Sequence, residues 1–213
     1  MQTVALIDYG SGNLRSAEKA LREAARRRDI AAEIVVTADP DLVAKADRVF
    51  LPGVGAFASC RAGLDATGVY EAMNEAVHGR GQPFMGICVG HQLLATEGLE
   101  FGVTPGLDWI GGQVKKLEPA DPTLTIPHMG WNAVTLVRDH ALFAGVPSGA
   151  HMYYANSFAL TASNAEDVVA VTDHGGPFTA AVAKGNVAGL QFHPEKSQAS
   201  GLALLANFLE WRP

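Results

Sequence analysis

Cys88 lies in Pro83-Phe84-Met85-Gly86-Ile87-Cys88-Val89-Gly90-His91-Gln92-Leu93-Leu94, with a glycine two positions away on each side. Gly-x-nucleophile-x-Gly between a buried strand and a helix is the pattern of a nucleophile elbow, a strained turn that lifts one side chain above a sheet. Gly86 and Gly90 lack a Cβ and leave room for backbone to pass close. A helix starting at Val89 would set its positive end at the sulfur and favour the reactive thiolate. The same pentapeptide also fits a buried structural cysteine that happens to lie between glycines. Near the other end, Gly189-Leu190-Gln191-Phe192-His193-Pro194-Glu195-Lys196-Ser197 ends an apolar run with His193 and Glu195. Pro194 fixes its own φ and favours an extended His193, so both side chains stand at a strand end in a defined relation. A Cys nucleophile needs a base that takes its proton and returns it to the leaving group. That His needs a carboxylate on its other nitrogen. Cys88, His193 and Glu195 would supply all three roles.

Seven histidines make one His beside one Glu weak on its own. His78, His140 and His174 sit among polar residues and are expected to face water. His91 is expected to pack or hydrogen-bond just after the elbow. His128 and His151 are open candidates for lining a site. No Cys-x-x-Cys or His-x-x-x-His spacing is present, so no zinc site is expected.

The elements that must position these groups follow from the spacing of apolar residues. Residues 3–7 read as a strand, and Asp8-Tyr9-Gly10-Ser11-Gly12-Asn13 as a glycine-rich turn. Leu14, Ala17, Leu21 and Ala24 form one face of a helix. The turn lacks the third glycine of a dinucleotide fingerprint, and a tight turn and an anion cradle both stay open. Arg26-Arg27-Arg28 complements the helix C-terminus and faces water. Residues 33–37 and 48–51 read as strands. The second runs into Pro52-Gly53-Val54-Gly55-Ala56-Phe57, a backbone suited to close approach at a strand's C-terminal end. Doubly wound sheets bind ligands at such ends. Residues 69–77 read as a helix. This alternation predicts an α/β fold with a central, mostly parallel sheet flanked by helices.

The second half changes character. Residues 109–117, 131–137, 151–154, 168–172, 178–184 and 187–191 read as strands separated by Gly, Pro, Asp and Asn turns. Residues 200–211 read as a closing amphipathic helix. No linker or repeat separates the halves, so a single domain over residues 1–213 is expected, its parallel sheet gaining additional antiparallel strands late.

Composition sets the outer bounds. The 213 residues are 48% apolar and 18% charged, ordinary for a globular protein with a sizeable core. A net charge of −6 gives no basic footprint for nucleic acid. Cys60 and Cys88 are too few for a disulfide framework and suit reduced thiols. The first eight residues do not form a signal peptide, and no apolar stretch reaches bilayer length. A soluble cytoplasmic protein without membrane contact is the expectation.

The stretch from Gly86 to Leu94, together with Phe192-His193-Pro194-Glu195, resembles the class I (triad) glutamine amidotransferases along the whole chain. Residues 8–14, 51–57 and 126–132 further resemble one branch of that family, the glutaminase subunits of imidazole glycerol phosphate synthases in histidine biosynthesis. Two positions depart from the branch: Asn156 stands where His is frequent, and His91 where Met is frequent. The resemblance implies a flavodoxin-like class I amidotransferase fold and no cofactor. It implies that Cys88 attacks the side-chain amide of L-glutamine, His193 carries the proton, Glu195 holds the ring, and a glutamyl thioester is hydrolysed. It assigns the oxyanion hole to the N–H groups of Val89 and Val54, and glutamine contacts to Gly53, Gly55, Gln92 and Glu100. It also implies a separate cyclase partner, a β/α barrel, that takes up the ammonia and makes imidazole glycerol phosphate and AICAR.

Asn13, Trp131 and Lys196 are candidates for that heterodimer surface, with core packing still open for Trp131 and plain solvation for Lys196. The Gly53–Val54 peptide is expected to rest with its N–H turned away from the thiol, because β-branched Val54 resists positive φ. An amidotransferase feeding anthranilate or aminodeoxychorismate synthesis is disfavoured by residues 52–55 and 128–132. A non-catalytic subunit is disfavoured by the intact Cys88, His193 and Glu195, and a cysteine hydrolase of unrelated substrate by Gln92.

Overall fold

The computed structural model describes residues 1–213. The first half alternates as β1 (Gln2–Ile7), α1 (Leu14–Arg27), β2 (Ala32–Thr37), α2 (Pro40–Lys45), β3 (Arg48–Leu51), α3 (Phe57–Thr67), α4 (Val69–Asn74), β4 (Phe84–Ile87) and a single helical turn, α5 (Val89–Gln92). The second half adds β5 (Glu97–Gly98), β6 (Thr104–Pro105), β7 (Gly112–Lys116), β8 (His128–Ala133), β9 (Thr135–Leu136) and β10 (His151–Asn156). It ends with β11 (Phe158–Ala162), β12 (Val168–Asp173), β13 (Pro177–Lys184), β14 (Val187–Leu190) and α6 (Gln198–Glu210).

One sheet of eight strands runs in the order β2-β1-β3-β4-β14-β13-β12-β9. From β2 to β14 the pairs are parallel; β13, β12 and β9 continue antiparallel. Every residue of β3, β4 and β14 is buried, as a parallel strand covered on both faces requires. After β2 the chain turns back across β1 to β3. Right-handed crossovers then put α1 on one face and α2 on the other. Accordingly α1 packs on α6, and α2 on α4. The reversal opens a crevice at the C-terminal ends of β1 and β3, the place where such sheets take ligands. The loops that follow β1 and β3 meet there.

The structure corrects the sequence reading in several places. The late strands do not all join the main sheet. β8 and β10 form a two-stranded ribbon, and β11, β7, β5 and β6 a separate four-stranded sheet. The last strand, β14, inserts in parallel beside β4, because only a central place covers both of its apolar faces. Helix α2 escapes the apolar spacing, although its cap was visible: the Asp39 carboxylate accepts from the Asp41 N–H, and Pro40 takes the first position. Helix α3 has no side-chain cap of its own. Its Phe57 N–H donates instead to Glu100 Oε2 at 2.7 Å, from a distant part of the chain. The helix expected over 69–77 ends at Asn74 and continues as a wider π-type turn, Glu75–Gly79. The closing helix, α6, is buried at Leu204, Leu205, Ala206, Asn207, Phe208 and Leu209 in succession rather than along one stripe.

Candidate active site

In the parallel pair β4–β14, Gly86 lies opposite Gly189 and Ile87 opposite Leu190. Cys88 and the stretch leading to His193 therefore leave the sheet side by side. The Cys88 N–H donates to Leu190 O at 2.8 Å. Its backbone stands at φ 53° and ψ −110°, a strained setting for a residue with a Cβ. The flanking glycines permit it. A Cβ on Gly86 would lie 2.4 Å from Gly90 O, and one on Gly90 would lie 2.1 Å from Leu51 O. A side chain at either position would force the turn open. The helix expected after the elbow is a single turn, α5, so its dipole is small.

The charge that faces the sulfur comes from another quarter. His193 Nδ1 and Glu195 Oε1 are 2.8 Å apart, with both side chains almost wholly buried. Burial alone would lower the imidazole pKa, but the Cys88 sulfur and the Glu195 carboxylate outweigh it and push it up to about 9. A protonated imidazole is the partner that a thiolate needs.

Two residues that the sequence reading passed over complete the frame. Ser197 Oγ donates to His193 O at 2.6 Å and accepts from the Tyr153 N–H at 3.0 Å, while the His193 N–H donates to Tyr153 O at 2.8 Å. The β8–β10 ribbon thus clamps the histidine. Gln191 is fully buried, and its Nε2 lies 3.9 Å from Cys88 Sγ. An amide between Leu190 and Phe192 in a buried strand was the available signal, since buried polar groups are there for their partners.

A cavity of about 800 Å³ opens over Cys88. Val54, Gly55, Val89, Gln92, Glu100 and His193 line it, so most of the expected residues converge. Gly53 does not line it. It lies beneath the elbow, where a Cβ would stand 2.5 Å from Gly90 N. Gln92 Nε2 donates to Phe158 O at 2.8 Å and to Gln191 Oε1 at 3.1 Å. Glu100 reaches the wall while capping α3. Asn156 also stands in the wall; its Nδ2 donates to Phe158 O at 3.0 Å and its buried Oδ1 has no partner. The Val89 N–H points to Gly53 O at 3.4 Å, and the Val54 N–H donates to Ser11 Oγ at 3.1 Å. The Gly53–Val54 peptide therefore shows its carbonyl, not its N–H, to the elbow.

The family model for class-I glutamine amidotransferase matches residues 5–211. The chain belongs to this family. It is 89% identical over 213 residues to the imidazole glycerol phosphate synthase subunit HisH of Caulobacter vibrioides, covering all of both chains. It is 57% identical over 212 residues to the protein of the same name from Rhodospirillum rubrum, covering 99% of each. A solved glutamine amidotransferase shares the fold at a TM-score of 0.70 and 18% identity, covering 97% of each chain. A second, from Thermotoga maritima, shares it at a TM-score of 0.62 and 17% identity, covering 91% of this chain and 76% of that one. These likenesses show the α/β amidotransferase fold.

Around the amidotransferase site, the surface candidates are all accessible. Asn13 is exposed, caps α1, and borders a small void of about 10 Å³ together with Val54, His193 and Glu195. Trp131 is 47% exposed, so it is not core; its ring meets Tyr153 edge-on. Lys196 Nζ lies over the same Tyr153 ring at 5.4 Å. His128 and His151 do not reach Cys88. His128 is buried against His174, with ring centroids 4.2 Å apart, and this stack also takes His174 partly out of water. His151 is exposed at the start of β10. His140 is half-buried, its Nδ1 accepting from the Leu142 N–H, while His78 is exposed as expected.

His91 is fully buried, and neither ring nitrogen has a partner. Burial lowers its pKa to about 3. The folded ring stays neutral while the unfolded one gains a proton below about pH 6.5. Its contribution to stability is therefore complete above that pH and is lost as pH falls toward about 3. His91→Met is expected to remove about 2 kcal/mol of acid destabilisation between roughly pH 6.5 and pH 5. The readout is a flatter dependence of Tm on pH. An unchanged slope would assign the acid sensitivity to other groups, His128 first, since burial lowers its pKa to about 4.

Proposed function

We propose that this chain is the glutaminase component of an imidazole glycerol phosphate synthase. It hydrolyses L-glutamine to glutamate and ammonia and passes the ammonia to a separate cyclase subunit, which makes imidazole glycerol phosphate and AICAR in histidine biosynthesis. The observation that carries the chemistry is Cys88 on a strained elbow beside the buried His193–Glu195 pair, under a cavity large enough for an amino acid. The relatives' names and the match along residues 8–14, 51–57 and 126–132 support the branch.

Cys88 Sγ attacks the amide carbon of the glutamine side chain, and His193 holds the thiol proton. The C–N bond breaks as His193 gives that proton to the departing nitrogen, leaving a glutamyl thioester. Water, deprotonated by His193, then releases glutamate and restores the thiol. These steps are redox-neutral. Glu195 keeps the imidazole oriented and compensates its charge. The Val89 and Val54 N–H groups receive the oxyanion once the Gly53–Val54 peptide has turned over. Asn13, Trp131 and Lys196 mark the face for the cyclase subunit. Two buried free thiols suit action in the reducing cytoplasm.

Co-purification with the cyclase subunit, followed by an assay of nitrogen transfer from glutamine into imidazole glycerol phosphate, tests the branch. Transfer to an anthranilate or guanylate synthase partner instead would overturn it. Glu195→Gln is expected to be milder than loss of Cys88 or His193, because the amide keeps some orientation while losing the charge. It should also move the alkaline limb of kcat/KM to lower pH, since Glu195 helps raise the His193 pKa. Wild-type turnover with an unmoved limb would take the orienting role away from Glu195.

A further inference from the structure

Ser11 lies in the loop between β1 and α1, outside the cavity over Cys88. Its hydroxyl makes two bonds to one residue of the oxyanion loop. Ser11 Oγ accepts from the Val54 N–H at 3.1 Å and donates to Val54 O at 2.7 Å. The N–H belongs to the Gly53–Val54 peptide, and the carbonyl to the Val54–Gly55 peptide. One hydroxyl therefore clamps the two peptides on either side of the Val54 Cα. Cys60 Sγ, 3.3 Å from Val54 O, shares the second bond. On the far side of the same segment, the Tyr9 hydroxyl donates to Pro52 O at 2.7 Å. Turning the Gly53–Val54 peptide over must break the bond to Ser11, because that bond holds the N–H the oxyanion hole needs.

We infer that Ser11 is a positioning residue that latches the oxyanion loop in its resting orientation. The inference rests on the glutaminase reading above and names its regulatory contact. The latch sits two residues from Asn13, on the exposed first loop where the cyclase subunit is placed. Docking there reaches the hydroxyl through a short piece of chain. A serine that merely tied two loops together would contribute to stability and leave the ratio of resting to activated turnover alone.

The test uses the full chain, alone and in complex with the cyclase subunit and its ligand. Ser11→Ala is expected to raise kcat of the isolated chain about tenfold, the effect of losing about 1.4 kcal/mol from the resting state. KM for glutamine should change little, and the fully activated rate should stay within about twofold, as expected for loss of one bond made only in the resting state. Ser11→Thr keeps the hydroxyl and should keep the low resting rate. Amide hydrogen exchange at Val54 should accelerate in Ser11→Ala and not in Ser11→Thr. If wild type is activated normally but Ser11→Ala leaves the resting kcat low, the latch is overturned and the glutaminase reading stands. If Ser11→Ala lowers resting and activated rates alike, Ser11 is scaffold and the latch is again overturned. If wild type shows no activation by the cyclase subunit, the switch falls and the latch with it.

Discussion

Cys88→Ser is expected to abolish glutamine hydrolysis with the fold intact, and His193→Ala to lose it to a similar extent. Loss of a nucleophile or its base in such a unit costs on the order of 10⁴- to 10⁶-fold in turnover. The serine hydroxyl fits the same elbow, because the strain lies in the backbone and the flanking glycines remain. It lacks the thiol's acidity, and His193 was placed for a thiolate. His193→Ala leaves the Glu195 carboxylate buried without its partner, so that variant should also lose some stability. A glutamine-analogue alkylator separates the two cysteines. Cys88 opens into the cavity and should be labelled. Cys60 is 1% exposed beneath the oxyanion loop, and burial raises its pKa, so it stays an unreactive thiol. Labelling at Cys60, or full activity in Cys88→Ser, would sink the triad assignment.

What the sequence disclosed and what it hid follow from how local each signal is. Cys88 was legible because its constraint is carried by glycines two positions away, whose missing side chains make room for Gly90 O and Leu51 O. His193 and Glu195 were legible because Pro194 ties them together. The pairing of β14 with β4 was not legible, since a short apolar strand carries no mark of its neighbour, yet that pairing puts the histidine beside the thiol. Helix α3 was hidden because its cap comes from Glu100, and its Gly63 is needed where a Cβ would stand 2.6 Å from Tyr9 O. Ser11 and Ser197 were hidden for a related reason. A hydroxyl says nothing of its role until the chain that it meets, Val54 or His193, has been folded onto it.

Glutamine hydrolysis by the isolated chain is expected to be very low, and to rise by on the order of a hundred- to a thousandfold when the cyclase subunit binds with its own substrate. An oxyanion hole works only if its donors already point at the developing charge. Here one candidate donor, the Val89 N–H, faces Gly53 O, and the other, the Val54 N–H, is bonded to Ser11. Turning the Gly53–Val54 peptide over frees both at once. It withdraws the carbonyl from Val89 and brings the Val54 N–H to the elbow. The resting state is favoured because Val54 keeps a negative φ, and the turn drives a β-branched residue toward positive φ. Gly55, already at φ 92°, absorbs backbone change on the other side without strain. Contacts made only in the assembled, liganded complex must then repay that cost, so ammonia is released only when an acceptor waits. Val54→Pro tests the donor and the turn together, since proline's fixed φ also forbids the positive value that the turned peptide needs. Proline accepts the negative φ of the resting loop but has no N–H, so it should lower the activated rate about a hundredfold or more and the resting rate far less. The measurement is steady-state glutamate production by the chain, by the complex, and by the complex with the cyclase ligand. Equal wild-type rates in all three would remove the switch, and a uniform loss in Val54→Pro would mean that the loop had simply been disrupted.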